Sequence, residues 1–286
     1  MFIIPGTATK IIAEDVAKIL HQKVAKTTVK RFADQEVYVR IEENLHNEDV
    51  VIIQTTYPDP NIIELFLLQD AVADMKPKTI TVVAPYYGYG RQDKKFLDGE
   101  AISARAIAEH ISLHADLFIT VDPHKDRILK FFKISVKSCS AVPVIAEYFK
   151  QKHIDFVLAP DKGALPRAQQ VSKILGCGYD YMEKTRIDSQ TVKIQPKNLD
   201  VQKKNVVIID DIISTGGTMI QSVKELKKQG AKEISVACTH GLFIGGAQEK
   251  LIASGCSYII STDTIQNRFS KVKSASCIVE LLLKDI

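Results

Sequence analysis

Short runs of β-branched and aliphatic residues punctuate this chain at helix-length intervals, and that rhythm limits its fold more than any other feature. Val50 to Gln54, Ile80 to Pro85, Leu117 to Val121, Phe156 to Ala159, Val206 to Ile209, Ile234 to Ala237 and Tyr258 to Ser261 are apolar along most of their length rather than on alternate residues. Such runs form strands covered on both faces, and the helix-like segments between them supply the cover and the crossover that parallel pairing needs. The expectation is an α/β fold of mostly parallel sheets flanked by helices. A length of 286 residues suits two domains. The small-residue stretch Ser138-Cys139-Ser140-Ala141-Val142-Pro143 is the expected boundary, giving domains 1–142 and 143–276 with an apolar tail, 277–286.

The stretch Asp210-Asp211-Ile212-Ile213-Ser214-Thr215-Gly216-Gly217-Thr218 carries the most chemistry. It follows the Val206 to Ile209 run and precedes Met219, Val223 and Leu226 at helical spacing, with Gly230 placed to end that helix. A turn from strand to helix presents unpaired N–H groups and the positive end of a helix dipole, both favourable to a phosphate. Gly216 and Gly217 let the backbone approach closely. Ser214, Thr215 and Thr218 offer hydroxyl donors, whereas Asp210 and Asp211 accept and suit vicinal sugar hydroxyls. Phosphate at one end and diol at the other describe a pentose phosphate; a solvated acidic loop capping a helix is the plainer alternative.

Other strand ends carry further candidates. In Pro85-Tyr86-Tyr87-Gly88-Tyr89-Gly90-Arg91-Gln92-Asp93-Lys94-Lys95, Arg91 can stack on a purine or clamp a phosphate and Gln92 can read a base edge. An aromatic turn before a solvated helix start explains the bare pattern equally well. Gly88-x-Gly90 lacks the third glycine of a dinucleotide fingerprint. Asp122-Pro123-His124 ends another run, with His124 either a metal ligand or a structural histidine. Asp161, after Ala159-Pro160, offers a hard oxygen ligand for magnesium. Lys184 and Arg186 lie in a polar stretch from Glu183 to Lys204 that reads by itself as a solvated hairpin.

Composition narrows the choices. At 45% hydrophobic and 25% charged, without a membrane-length apolar run, the chain reads as soluble and globular. Met1 to Gly6 is too short for a signal peptide and reads as an edge strand. Five scattered cysteines without C-x-x-C spacing read as free thiols in a reducing cytoplasm. A net charge of +4 with no basic stripe gives no support for nucleic-acid binding.

In order along nearly the whole chain, Arg31 to Arg40, the Pro85 to Lys95 loop, Asp122-Pro123-His124, Ala159-Pro160-Asp161, Glu183-Lys184-Thr185-Arg186 and Asp210 to Thr218 resemble the ribose-phosphate diphosphokinase (phosphoribosyl diphosphate, PRPP, synthetase) family. The resemblance implies two similar domains of the type I phosphoribosyltransferase kind. It also implies transfer of diphosphate from ATP to the anomeric hydroxyl of ribose 5-phosphate, giving PRPP and AMP. Phe32, Asp34, Gln35 and Glu36 would reach the adenine from a neighbouring subunit of a homodimer or larger homo-oligomer, and Arg91 and Gln92 would complete the ATP site. His124 and Asp161 would hold Mg2+. Lys184 and Arg186 would be the catalytic cations, Arg186 also meeting ribose 5-phosphate, while Asp210, Asp211 and Ser214 to Thr218 bind that sugar. The tail would pack on the N-terminal domain.

Two departures matter. Gln35 stands where the family usually has glycine, so the adenine loop is expected to differ in backbone conformation. Lys94 to Glu100 leads directly into a helix-like Ala101 to Ile111, where regulated members have a longer flexible segment. Weak or absent control by phosphate or ADP is expected, and a sigmoidal phosphate activation curve would contradict it. A phosphoribosyltransferase shares the Asp210 to Thr218 motif but needs no ATP domain. A non-catalytic regulatory relative would lack the chemistry-bearing residues that this chain keeps.

Overall fold

The computed structural model describes residues 1–186, 192–195 and 199–283, without the side chains of 184–186 and 192–195. The chain divides into two units: Met1–Ser140 with Thr264–Gln266 and Lys273–Ile286, and Ala141–Asp263 with Asn267–Val272. The division therefore falls between Ser140 and Ala141 rather than after 142. Its cause is local: a strand runs to Cys139 and a helix opens at Val142 with proline in its first turn, where the missing N–H costs nothing. Residues 264–266 and 273–276, expected in the second domain, lie in the first unit.

The first unit begins with β1 (Phe2–Pro5), α1 (Lys10–Leu20) and β2 (Lys23–Val24). An antiparallel hairpin follows, β3 (Thr27–Arg31) and β4 (Val37–Ile41), then β5 (Asp49–Ile53), α2 (Pro60–Asp74), β6 (Thr79–Ala84), α3 (Ser103–Ile111), β7 (Leu117–Val121) and β8 (Ser135–Cys139). The six sheet strands lie in the order β2-β1-β5-β6-β7-β8, all parallel. β1 is thus an interior strand, not the edge strand expected: Ile3 and Ile4 are fully buried and exposed β2 takes the edge. Stacked Phe118 and Phe132, with Tyr87 against both, anchor the core beneath β6 and β7.

The second unit runs α4 (Val142–Lys150), β9 (Phe156–Ala159), α5 (Leu165–Leu175), β10 (Gly178–Tyr181), an antiparallel pair β11 (Glu183–Arg186) and β12 (Val192–Gln195), and β13 (Asn205–Ile213). It continues through α6 (Gly217–Lys228), β14 (Glu233–Gly241), α7 (Ala247–Ala253), β15 (Tyr258–Thr262) and β16 (Ser270–Val272). Its parallel sheet has the order β10-β9-β13-β14-β15-β16. With the hairpins set aside, each sheet places its strands second, first, third, fourth, fifth, sixth, so the two units are the same device twice. The chain then returns to the first unit, where α8 (Ala275–Leu282) packs on α1, β7 and β8. Among the described residues no helix is long and apolar enough to cross a membrane.

Candidate active site

Open parallel sheets hold ligands beyond the carboxyl ends of their strands, at the point where successive connections depart in opposite directions. That point lies between β1 and β5 in the first unit and between β9 and β13 in the second. In the first it is filled from within: Glu64 of α2 accepts from Thr7 N and Thr7 Oγ1 at 2.6 Å each, and Gln54 accepts from Ala8 N. In the second it is lined by Asp161, Asp210 and Asp211.

Asp161 follows β9 and caps the short 3-10 turn Lys162–Ala164, its Oδ1 accepting from Gly163 N at 2.9 Å and Ala164 N at 3.2 Å. β13 pairs with β9 as far as Ile208 and with β14 as far as Ile213. Asp210 and Asp211 therefore stand in the strand, on the length that overhangs β9, and not in the turn that the sequence suggested. Asp211 is buried, with the Arg167 guanidinium of α5 3.6 Å from its Oδ2. Burial pushes the half-buried Asp210 carboxyl well above the usual range, and the charges of Asp211 and Asp161 push it further.

Ser214, Thr215 and Gly216 turn the chain, Gly217 opens α6 and Thr218 follows it. Gly216 has φ 73, a backbone that glycine adopts without strain, and its carbonyl accepts the first helical bond from Ile220 N. At Gly217 an added Cβ would meet no protein atom within 4 Å, so protein packing does not demand glycine there. Gly230 closes the helix as expected: Gly230 N donates to Lys227 O and Ala231 N to Leu226 O, a paired C-terminal cap.

In the first unit, the Pro85 to Asp93 loop leaves β6 and is held at several points. Thr55 Oγ1 donates to Tyr86 O, Gly88 N donates to Thr56 Oγ1, and Gly90 lies against Ile128. Arg91 is exposed and Gln92 half-buried, while Asp93 is buried and paired with Arg127. His124, half-buried, lies in the turn after β7, beside Asp122, whose carboxylate accepts from Ser140 Oγ. Phe32, Asp34, Gln35 and Glu36 form the exposed tip of the β3–β4 hairpin. The tip is closed by Phe32 N to Glu36 O and Gln35 N to Phe32 O. Gln35, where a changed loop backbone was expected, has φ 75, in the left-handed region that glycine favours.

Lys184 and Arg186 lie on β11, opposite Ile194 and Val192 of β12, and their side chains lie outside the described residues. The described residues contain no group of three His, Cys, Asp or Glu side chains that could hold a metal; His124 and Asp161 belong to different units. Sequence reasoning missed Arg167 and the Asp93–Arg127 pair, because no local pattern distinguishes a partnered arginine from a solvated one.

A carboxylate pair on an overhanging strand, a glycine turn and a helix N-terminus at the switch point of a parallel sheet place the chain among α/β proteins of the phosphoribosyltransferase fold class. Residues 1–114 match the model of the N-terminal domain of ribose phosphate pyrophosphokinase, and residues 143–272 that of the phosphoribosyl transferase domain. The chain is similar to the ribose-phosphate pyrophosphokinase of Sulfurisphaera tokodaii, with 42% identity over 95% of this chain and 96% of that one. Its identity to that of Pyrococcus abyssi is 40%, over 98% of each chain. A solved phosphoribosylpyrophosphate synthetase from Mycobacterium smegmatis superposes with a TM-score of 0.85 at 27% identity, covering 100% of this chain and 99% of that one. The chain belongs to the ribose-phosphate pyrophosphokinase family.

Proposed function

We infer that this chain transfers the diphosphate of ATP intact to the anomeric hydroxyl of ribose 5-phosphate, giving PRPP and AMP for nucleotide biosynthesis. The β13–α6 junction, where two carboxylates and an open-sided Gly217 share one strand end, supports the sugar-phosphate half of the reading. The family likeness along the whole chain, first unit included, carries the choice of the synthetase over a phosphoribosyltransferase. The 5-phosphate lies on the N–H groups and hydroxyls of Ser214 to Thr218, and Asp210 and Asp211 accept from the ribose hydroxyls. ATP is taken by Arg91 and Gln92, together with Phe32, Asp34, Gln35 and Glu36 of a neighbouring subunit in a homodimer or larger homo-oligomer. The exposure of that hairpin tip supports a partner there. Lys184 and Arg186 clamp the transferring group, Arg186 also meeting ribose 5-phosphate. Charge on the oxygens grows during diphosphate transfer, so positioned cations and exclusion of water lower the barrier.

Magnesium suits the donor set, since the charge of Asp161 opposes ionisation of Asp210 and both carboxylates offer hard oxygen ligands. Asp161 would hold an ion near the ribose and His124 the ion that accompanies ATP; bound there, magnesium screens phosphate charge. The five free cysteines accord with action in the cytoplasm.

Phosphorus NMR of the protein with magnesium, ATP and ribose 5-phosphate tests the reaction. AMP with a new anomeric diphosphate is the expected result. ADP would mean single-phosphoryl transfer and overturn it, and ATP binding without turnover would favour a regulatory relative.

A further inference from the structure

Asp93 is the last buried residue before an exposed stretch, 94–99, and it immediately follows Arg91 and Gln92. Its side chain is 6% exposed, and Arg127 Nε and Nη2 both reach its Oδ2 at 2.5 Å. A carboxylate this buried needs a partner, and removing the partner leaves a costly uncompensated charge. Arg127 lies in the 3-10 helix Asp126–Phe131, which begins two residues beyond His124. The same helix supplies Ile128, whose Cδ1 would lie 3.0 Å from a Cβ at Gly90. Arg91 and Gln92 are thus bracketed by two contacts with one element, an apolar contact at Gly90 and an ion pair at Asp93. The exposed stretch beyond is braced separately, by Glu100 accepting from Phe96 N and Leu97 N.

We propose that the Asp93–Arg127 pair is a positioning latch that fixes the nucleotide-binding Arg91-Gln92 segment against the turn carrying His124, so that Arg127 is a specificity-determining residue for ATP without touching it. The inference rests on the ATP reading given above for Arg91 and Gln92. The mechanism is pre-organisation: a loop held in its binding geometry loses less freedom when the nucleotide arrives. Without the latch, Asp93 swings out to hydrate and carries Gln92 with it.

The test is steady-state kinetics of Arg127→Ala, Asp93→Asn, the double variant and Arg127→Lys, with Gln92→Ala as control. Arg127→Ala is expected to raise KM for ATP about tenfold, in line with the sensitivity of catalysis to small misplacements, and to narrow the preference for ATP over GTP. KM for ribose 5-phosphate should stay within about twofold, because that site is in the other unit. The double variant should be no worse than either single one, and Arg127→Lys should recover part of the loss. If Gln92→Ala raises KM for ATP and Arg127→Ala and Asp93→Asn do not, the latch is wrong and the ATP reading stands. If Gln92→Ala also leaves KM for ATP unchanged, the ATP reading of this loop fails and the latch with it. Equal loss for both substrates, with no rescue by lysine, would make the pair merely structural and overturn the proposal.

Discussion

At the scale of single residues, Gly217 and Asp210 are not required by the fold. Alanine at Gly217 would meet no protein atom and favours a helix by up to about 1 kcal/mol over glycine, so Gly217→Ala should melt at or above the wild-type temperature. With the 5-phosphate on this turn, as proposed above, the same methyl should crowd it and raise KM for ribose 5-phosphate about tenfold or more; an unchanged KM would place the phosphate elsewhere. Asp210 is a second case. Its folded-state pKa is raised by burial and by the charges of Asp211 and Asp161, so its contribution to stability is present below the ordinary carboxylate range, near about pH 4, and lost as pH rises through the raised value. Without ligand at neutral pH, Asp210 therefore destabilises the second unit. Asp210→Asn should raise the melting temperature at neutral pH, by an amount that shrinks towards pH 4, and should lower turnover. A melting temperature equal to wild type at neutral pH would contradict the electrostatic account.

At the scale of elements, interior strands were legible because both of their faces are buried, which writes an unbroken apolar run into the sequence. The edge strands β2, β8, β10 and β16 were not, since each is paired on one side only and reads as polar or mixed, as Lys23-Val24 and Ser135–Cys139 do. Strand ends were misjudged for a related reason: Asp210, Asp211, Thr239 and His240 are polar, yet they lie within β13 and β14. The strand–glycine turn–helix unit was visible because its parts are consecutive, whereas Arg167 on Asp211 and Arg127 on Asp93 are meetings that only the fold creates. The β11–β12 pair is the element on which turnover should depend most. Lys184→Ala should cut kcat by orders of magnitude, a loss of about 3 kcal/mol or more on the scale of a preorganised donor, with modest change in ribose 5-phosphate affinity. Near-normal turnover would remove Lys184 from the mechanism.

At the scale of the whole molecule, the exposed β3–β4 tip bears the residues assigned to a neighbour's ATP site, so activity should be shared between subunits. Mixing Phe32→Ala with Lys184→Ala, each inactive alone, should restore activity through mixed oligomers that contain one intact site. No recovery after subunit exchange, shown by mass spectrometry of the mixture, would mean that each chain builds its ATP site alone. The two sheets share one strand order, and at the switch point of the first Glu64 ties α2 to Thr7, where the second carries Asp161, Asp210 and Asp211. The interleaving of the units bears on how the molecule is made. Ile278, Val279 and Leu282 of α8 follow the second unit along the chain, yet they are buried in the first, whose α1, β7 and β8 the helix packs against. Because α8 comes after the second unit in chain order, a ribosome must translate that unit before the first can cover this apolar face, and surface left open over such an interval is prone to association.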